Sequence, residues 1–139
     1  MGNAMGRCLC GAVRFSVDSV DVHFHACQCA MCHRWGGGPF LAANVNGFAL
    51  QSPADDVGIY SSSDWAERAF CRRCGTSLYY RLKPADLYLV NIGCFDDQAQ
   101  FTLGGEIFVD GACAAPALAG NHERLTEAET LARFGATPG

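Results

Sequence analysis

The sequence has 139 residues, of which 50% are hydrophobic and 17% are charged, so it suits one globular domain over residues 1–139 and excludes a disordered chain. Ten basic and fourteen acidic residues leave a net charge of −4. This balance argues against nucleic-acid or anionic-lipid partners, because such binding needs clustered Lys and Arg.

The sequence also gives no sign of a membrane span or an export signal. Its apolar runs fall short of the roughly 18 residues that a spanning helix needs. Residues 1–6 lack the basic region and apolar stretch of a secretion signal. We therefore expect a cytoplasmic protein with no membrane partner.

Short strands are predicted along most of the chain. Val13, Phe15 and Val17 alternate with polar residues, and the same period of two returns in residues 20–24. Six further extended segments are bounded by Gly, Pro, Asp or Asn: residues 39–45, 58–61, 66–70, 78–82, 87–92 and 106–109. This pattern predicts a mainly β protein.

One helix is predicted near the C-terminus. Thr126 and Glu129 have the spacing of a capping box, in which the side chain of each residue accepts a hydrogen bond from the backbone N–H of the other. Leu131 and Phe134 supply an apolar face, and Gly135 suits the end of the helix. The expected fold is therefore mainly β with a short C-terminal helix.

Seven of the nine cysteines fall into three clusters: Cys8 and Cys10; Cys27, Cys29 and Cys32; Cys71 and Cys74. Without an export signal, dense cysteines in a short chain indicate a metal rather than disulfides. Zinc is the metal whose tetrahedral preference suits converging thiolates. Cys94 and Cys113 stand alone, and we predict that both are small buried hydrophobes.

The spacing of the first and third clusters predicts a closed structural zinc site. Cys71 and Cys74, followed by Gly75, have the form of a zinc knuckle that supplies two ligands. Cys8 and Cys10 are the best partners, because residues two apart on an extended segment face the same side. Four thiolates would then tie the N-terminal region to a segment some sixty residues later.

The central cluster predicts a different kind of site. Cys27 and Cys29 can share a strand face, and Cys29 and Cys32 suit one helical turn, before the turn at residues 36–39. Three protein ligands leave zinc one open position, which is typical of catalytic sites. The prediction is thus two zinc ions per chain.

Other assignments remain open at this point. His25, His33 or Cys94 could close the central site and make it structural. Cys8 and Cys10 could instead join the central three, or four cysteines could hold an iron–sulfur cluster. Arg34, Arg72 and Arg73 lie beside proposed ligands, where their charge would favour thiolates.

Three motifs resemble the glutathione-dependent formaldehyde-activating enzyme family, which includes centromere protein V: Gly6-x-Cys8-x-Cys10-Gly11-x-Val13-x-Phe15, Cys27-x-Cys29-x-x-Cys32, and Phe70-Cys71-x-x-Cys74-Gly75. The resemblance extends over about residues 6–110. It implies a β-tent of antiparallel sheets stapled by a structural zinc on Cys8, Cys10, Cys71 and Cys74. A catalytic zinc would fall on Cys27, Cys29 and Cys32.

The resemblance also implies a chemistry. Members of the family condense glutathione with formaldehyde to S-hydroxymethylglutathione, which is a carbon–sulfur lyase reaction in the adding direction. The expected substrates are therefore a small-molecule thiol and a small aldehyde, with zinc as the cofactor. Two alternatives stay open: a non-catalytic zinc module for interactions, and a redox sensor whose thiolates release zinc on oxidation.

Overall fold

The computed structural model describes residues 3–111 and 118–135, and Cys113 lies outside them. The described residues form twelve strands and two α-helices. The strands are β1 (Ala4–Arg7), β2 (Arg14–Val17), β3 (Ser19–Val20), β4 (His23–Cys27), β5 (Phe40–Asn46), β6 (Ala49–Leu50), β7 (Val57–Tyr60), β8 (Ala66–Cys71), β9 (Ser77–Leu82), β10 (Leu87–Asn91), β11 (Thr102–Ile107) and β12 (Glu123–Arg124). The helices are α1 (Ala30–Gly36) and α2 (Glu127–Phe134).

The mainly β class and the short C-terminal helix are confirmed. Helix α2 begins at the predicted capping box of Thr126 and Glu129, and it ends at Gly135, whose φ is 69°. Helix α1 was indicated only by the spacing of Cys29 and Cys32, because seven residues are too few for a clear apolar period. Neither helix in the described part of the chain is long and apolar enough to cross a membrane.

The strands form two sheets, and their pairing differs in one respect from the antiparallel prediction. Strands β1, β2 and β6 make a small antiparallel sheet. The large sheet has the order β12-β11-β4-β5-β10-β9-β8-β7, with β3 added beside β5. Strand β11 runs parallel to both β4 and β12, so the large sheet is mixed. A parallel pair needs a long connection, and more than seventy residues separate β4 from β11.

Side chains of the large sheet alternate between two faces, and the first face builds the main core. Ala43, Val45 and Val90 from this face cluster with Phe15 and Val17 of β2. Rings close the space between the two sheets, since Phe48 lies 5.2 Å from Phe15 and 4.8 Å from Tyr88 between ring centroids. The main core therefore lies between the small sheet and the large sheet.

The second face of the large sheet carries a smaller apolar cluster. Phe40 and Ala42 of β5 lie on the face opposite to that of Ala43 and Val45. They cluster with Cys29, Cys32 and Phe108. Leu131 of α2 packs against the same group. The helices thus lie over the face that the main core does not use.

Gly6 lies where the small sheet comes closest to the segment after β10. It pairs with Phe15 and forms a backbone bridge with Phe95. A Cβ atom at this position would lie 2.4 Å from both the carbonyl oxygen of Cys94 and the Cζ atom of Phe15. A backbone oxygen cannot move aside as a flexible side chain can, so the site has room for hydrogen alone.

We expect Gly6→Ala to lower the free energy of unfolding by about 1–3 kcal/mol, because the added methyl group overpacks the junction between the sheets. Gly38→Ala is the control, since a Cβ atom there meets nothing within 4 Å. Urea unfolding of both variants measures the difference. An unfolding midpoint for Gly6→Ala equal to that of Gly38→Ala would show that the packing is looser than described.

Candidate metal centres and adjoining cavity

Four cysteine sulfurs meet where two hairpin turns face each other. Cys8 and Cys10 lie in the turn between β1 and β2, while Cys71 ends β8 and Cys74 lies in the turn before β9. All four Sγ atoms lie within 4.8 Å of one another. The cysteines are free thiols rather than disulfides, so the cluster could hold a metal ion.

Turn geometry, rather than the expected extended backbone, brings Cys8 and Cys10 together. Gly11 and Gly75 follow the two pairs with φ of +82° and +79°, a conformation that favours glycine and closes each turn. Backbone N–H groups then point at the sulfurs: Val13 donates to Cys8 at 3.3 Å and Cys74 donates to Cys71 at 3.4 Å. Such donors stabilise negative charge on sulfur.

The sulfur positions fit a tetrahedral ion. Sulfurs placed about 2.3 Å from a central zinc form a tetrahedron with edges of about 3.8 Å. Cys8 Sγ lies 3.6 Å from Cys10 Sγ, which in turn lies 3.8 Å from Cys71 Sγ. The Thr76 hydroxyl, 3.1 Å from Cys74 Sγ, lowers the pKa of Cys74 to about 5. Thiolate is the form that binds metal.

The second cluster lies on the opposite face of the large sheet, where β4 leads into α1. Cys27 ends β4, Cys29 caps the N-terminus of α1, and Cys32 lies in its first turn. The backbone N–H of Cys32 donates to Cys29 Sγ at 3.3 Å, so the cap itself fixes one sulfur. The three Sγ atoms lie within 4.8 Å of one another and could hold a second ion.

Within residues 3–111 and 118–135, no fourth ligand atom joins this group of three. His33 Nε2 instead donates to Gln28 Oε1 at 2.6 Å. Cys94 belongs to the main core on the other face of the sheet, where burial raises its pKa to about 12. His25 lines a cavity that adjoins the three cysteines.

Arg68 of β8 is the cation beside the second cluster. It is buried, and its Nη1 atom donates to Cys32 Sγ at 3.5 Å. Its guanidinium lies between two rings, 5.1 Å from Trp35 and 4.9 Å from Tyr80. Its charge supports thiolate at Cys29, whose pKa is lowered mainly because Cys27 and then Cys32 donate to that sulfur.

Arg68 is a cation that the sequence did not single out, and it acts at the second cluster, whereas Arg73 lies near Cys10 and Cys71 of the first. Arg73 pairs with Asp56 at 2.8 Å, and Arg72 donates to the carbonyl oxygen of Val57 at 3.2 Å. The sequence contains one clue to Arg68, since it alternates with Ala66 and Phe70 on the apolar positions of its strand. A buried arginine at such a position needs compensating contacts.

A buried carboxylate supports the loop that carries the second cluster. Glu106 of β11 is 0% exposed and accepts a hydrogen bond from Gln28 Nε2 at 3.0 Å. Gln28 lies between Cys27 and Cys29 in the sequence. His122 Nε2 lies 2.5 Å from Glu106 Oε2, and Arg124 Nε donates to the same oxygen at 3.0 Å. No local pattern in the sequence indicates His122, because its partner lies sixteen residues away on β11.

An apolar cavity of about 410 Å³ adjoins the second cluster. Cys27, Cys29 and Cys32 form part of its wall, and side chains from the second face of the large sheet and from α2 complete it. Cys8, Cys10, Cys71 and Cys74 do not line it. The two clusters therefore differ in access to a pocket.

Phe108 closes the cavity in a strained backbone conformation. Its φ is 57°, which is uncommon for a bulky residue. Its N–H donates to Thr130 Oγ1 at 3.2 Å, and the next N–H, of Val109, donates to the carbonyl oxygen of Leu125 at 2.9 Å. Such strain persists where surrounding contacts enforce it, often at functional sites.

Comparison with known proteins places these residues in a family. The sequence model of the glutathione-dependent formaldehyde-activating enzymes matches residues 3–111. A Schizosaccharomyces pombe protein named as an uncharacterized lyase is 31% identical over 106 residues, which is 76% of this chain and 77% of that protein. A Halomonas elongata protein named after the same enzyme family is 36% identical over 83 residues, 53% of each chain.

A solved structure shows a similar fold. The crystal structure of a Rhodobacter sphaeroides protein aligns with a TM-score of 0.59 at 25% identity. The alignment covers 67% of this chain and 88% of that one. The family match confirms the resemblance noted in the sequence, and the solved structure shows a similar fold.

We expect Glu106→Gln to lower the free energy of unfolding by about 1.5–3 kcal/mol, because a neutral amide cannot replace a buried carboxylate that accepts from three donors. Glu123→Gln is the control: its carboxylate is 46% exposed and pairs with Arg133 at the surface, where ion pairs contribute little. Urea unfolding at neutral pH measures both.

The effect of Glu106→Gln should also depend on pH. Burial alone raises the pKa of Glu106, but hydrogen bonds from His122, Gln28 and Arg124 outweigh it and hold the pKa below its usual value. A carboxylate of lowered pKa stabilises the fold fully above its unfolded pKa and loses this effect as pH falls through the folded value. The stability gap between wild type and variant should therefore shrink below about pH 4. A gap that stays constant on acidification would contradict the ionised state of Glu106.

Proposed function

Because this chain belongs to the glutathione-dependent formaldehyde-activating enzyme family, we propose that it is a carbon–sulfur lyase that adds a thiol to a small aldehyde. Glutathione and formaldehyde are the default pair, and their product is S-hydroxymethylglutathione. In this direction the thiol S–H bond breaks and a sulfur–carbon bond forms. The carbonyl π electrons move to oxygen, which takes the released proton, so no oxidant or reductant is needed.

The observation that carries the proposal is the three-cysteine cluster in the wall of a cavity. Cys27, Cys29 and Cys32 are the residues that would hold a catalytic zinc, and three protein ligands are the pattern of such sites. Zinc held there would supply a Lewis acid that favours the ionised form of a thiol. The cavity is where the reactants would meet.

The cluster of Cys8, Cys10, Cys71 and Cys74 would hold a second, structural zinc. Four thiolates complete a tetrahedral site without any other ligand. The cluster joins the β1–β2 hairpin to the β8–β9 hairpin, and thus links the small sheet to the large one. Its role in this proposal is to hold the two sheets together.

The chain's own residues supply the electrostatics of the reaction. Arg68 lies against Cys32 Sγ and brings positive charge to the point where the thiol would ionise and the carbonyl oxygen would gain charge. The apolar wall excludes water, which strengthens these interactions. Gln28, held between Glu106 and His33, fixes the loop that carries Cys27 and Cys29.

We expect the zinc-loaded protein to accelerate glutathione addition to formaldehyde above the spontaneous rate, and Cys27→Ser to return it close to that rate. Loss of one of three ligands weakens metal retention and removes the reacting site. Cys94→Ala is the matched control, because this buried cysteine belongs to the main core and lies outside both clusters. Product formation can be followed by NMR, with the spontaneous rate subtracted.

Two outcomes would count against the proposal. One is a wild-type rate equal to the spontaneous rate for every thiol and aldehyde tested. The other is a Cys27→Ser protein that remains folded, lacks one zinc and keeps full activity.

A further inference from the structure

The cavity is much larger than the smallest aldehyde. Its volume of about 410 Å³ falls within the range of roughly 300–1,000 Å³ that is usual for small-molecule sites. One liquid water occupies about 30 Å³, and formaldehyde has only two non-hydrogen atoms. A pocket shaped for formaldehyde alone would leave most of this volume without contacts.

The wall of the cavity is mostly apolar, although His25, Asn44 and Tyr80 also line it. Strands β5 and β10 contribute Ala42, Leu87 and Leu89, while Ile107 and Phe108 close the other side. Among the described lining residues, Arg68 is the one with a permanent charge. The Thr130 hydroxyl is already bonded to the N–H of Phe108 and to the carbonyl oxygen of Thr126.

Such a wall is a poor match for buried glutathione. That tripeptide carries two carboxylates and an ammonium group, and burying a charge is unfavourable unless a partner satisfies it. Arg68 could meet at most one of the carboxylates, and it already contacts Cys32 Sγ and two rings. The described walls supply no acidic partner for the ammonium group.

We infer that the cavity receives an apolar group carried by one of the two reactants, so that the preferred product is an apolar hemithioacetal. This inference rests on the proposed function, the addition of a thiol to an aldehyde. The bond changes are the same: sulfur bonds to the carbonyl carbon, and the thiol proton ends on the oxygen. The aliphatic or aromatic group is carried either by the aldehyde or by the thiol.

The test uses two homologous series with the zinc-loaded full-length chain. In one, linear aldehydes from propanal to hexanal react with 2-mercaptoethanol; in the other, linear thiols from propanethiol to hexanethiol react with formaldehyde. Reactivity changes little along each series, so chain length reports on binding. We expect kcat/KM, corrected for the spontaneous rate, to rise about fourfold per methylene in one series until the cavity is full.

The variant pair is Leu89→Asn and Ile59→Asn. Leu89 lines the cavity, whereas Ile59 of β7 is 46% exposed at the edge of the same sheet. Leu89→Asn should lower the ratio of kcat/KM between the six-carbon and three-carbon reactants about tenfold, and Ile59→Asn should leave that ratio unchanged. Titration with 1-hexanol, which cannot react, measures apolar binding without turnover. The affinity for 1-hexanol should be lower in Leu89→Asn than in the wild type.

The outcomes separate this inference from the proposed function. A rise with chain length in the aldehyde or the thiol series, made smaller by Leu89→Asn and not by Ile59→Asn, supports the inference and identifies the reactant. Acceleration of glutathione and formaldehyde with no rise in either series overturns the inference and leaves the proposed function standing. If the protein accelerates the reaction of no thiol and aldehyde pair, both the inference and the proposed function are overturned, even where 1-hexanol binds.

Discussion

The alternation of side chains between the two faces of the large sheet is the constraint on which the rest of the molecule depends. Because successive side chains point to opposite faces, β5 gives Ala43 and Val45 to the main core and Phe40 and Ala42 to the cavity side. A slip of one residue would exchange the two sets. The register of the large sheet therefore positions the core and the cavity together.

The same constraint separates the two groups of cysteines. Cys8 and Cys71 belong to the main core, whereas Cys29 and Cys32 belong to the cluster on the other face. The first group is closed by turns and backbone N–H donors, and the second opens on a cavity beside Arg68. Four converging thiols suit a joint between sheets, and three beside a pocket suit chemistry on a small molecule.

Local spacing predicted what depends on neighbours in sequence, such as most of the strands, the C-terminal capping box and the convergence of the cysteines within each short cluster. It missed what depends on distant strands. The parallel pairing of β11, the network of Glu106 with His122 and the place of Arg68 beside Cys32 all join residues more than fifteen positions apart. The cavity is likewise formed by five or more elements, which no single window of sequence contains.

Zinc content and unfolding of Cys74→Ser and Cys29→Ser test the division of roles most directly. Cys29 is buried and Cys74 is half-buried, so packing alone would make Cys29→Ser the more damaging change. We predict the opposite: Cys29→Ser loses one zinc of two and unfolds near the wild-type midpoint, whereas Cys74→Ser unfolds far more easily. Equal damage from both, or greater damage from Cys29→Ser, would contradict the assignment of one structural and one catalytic site.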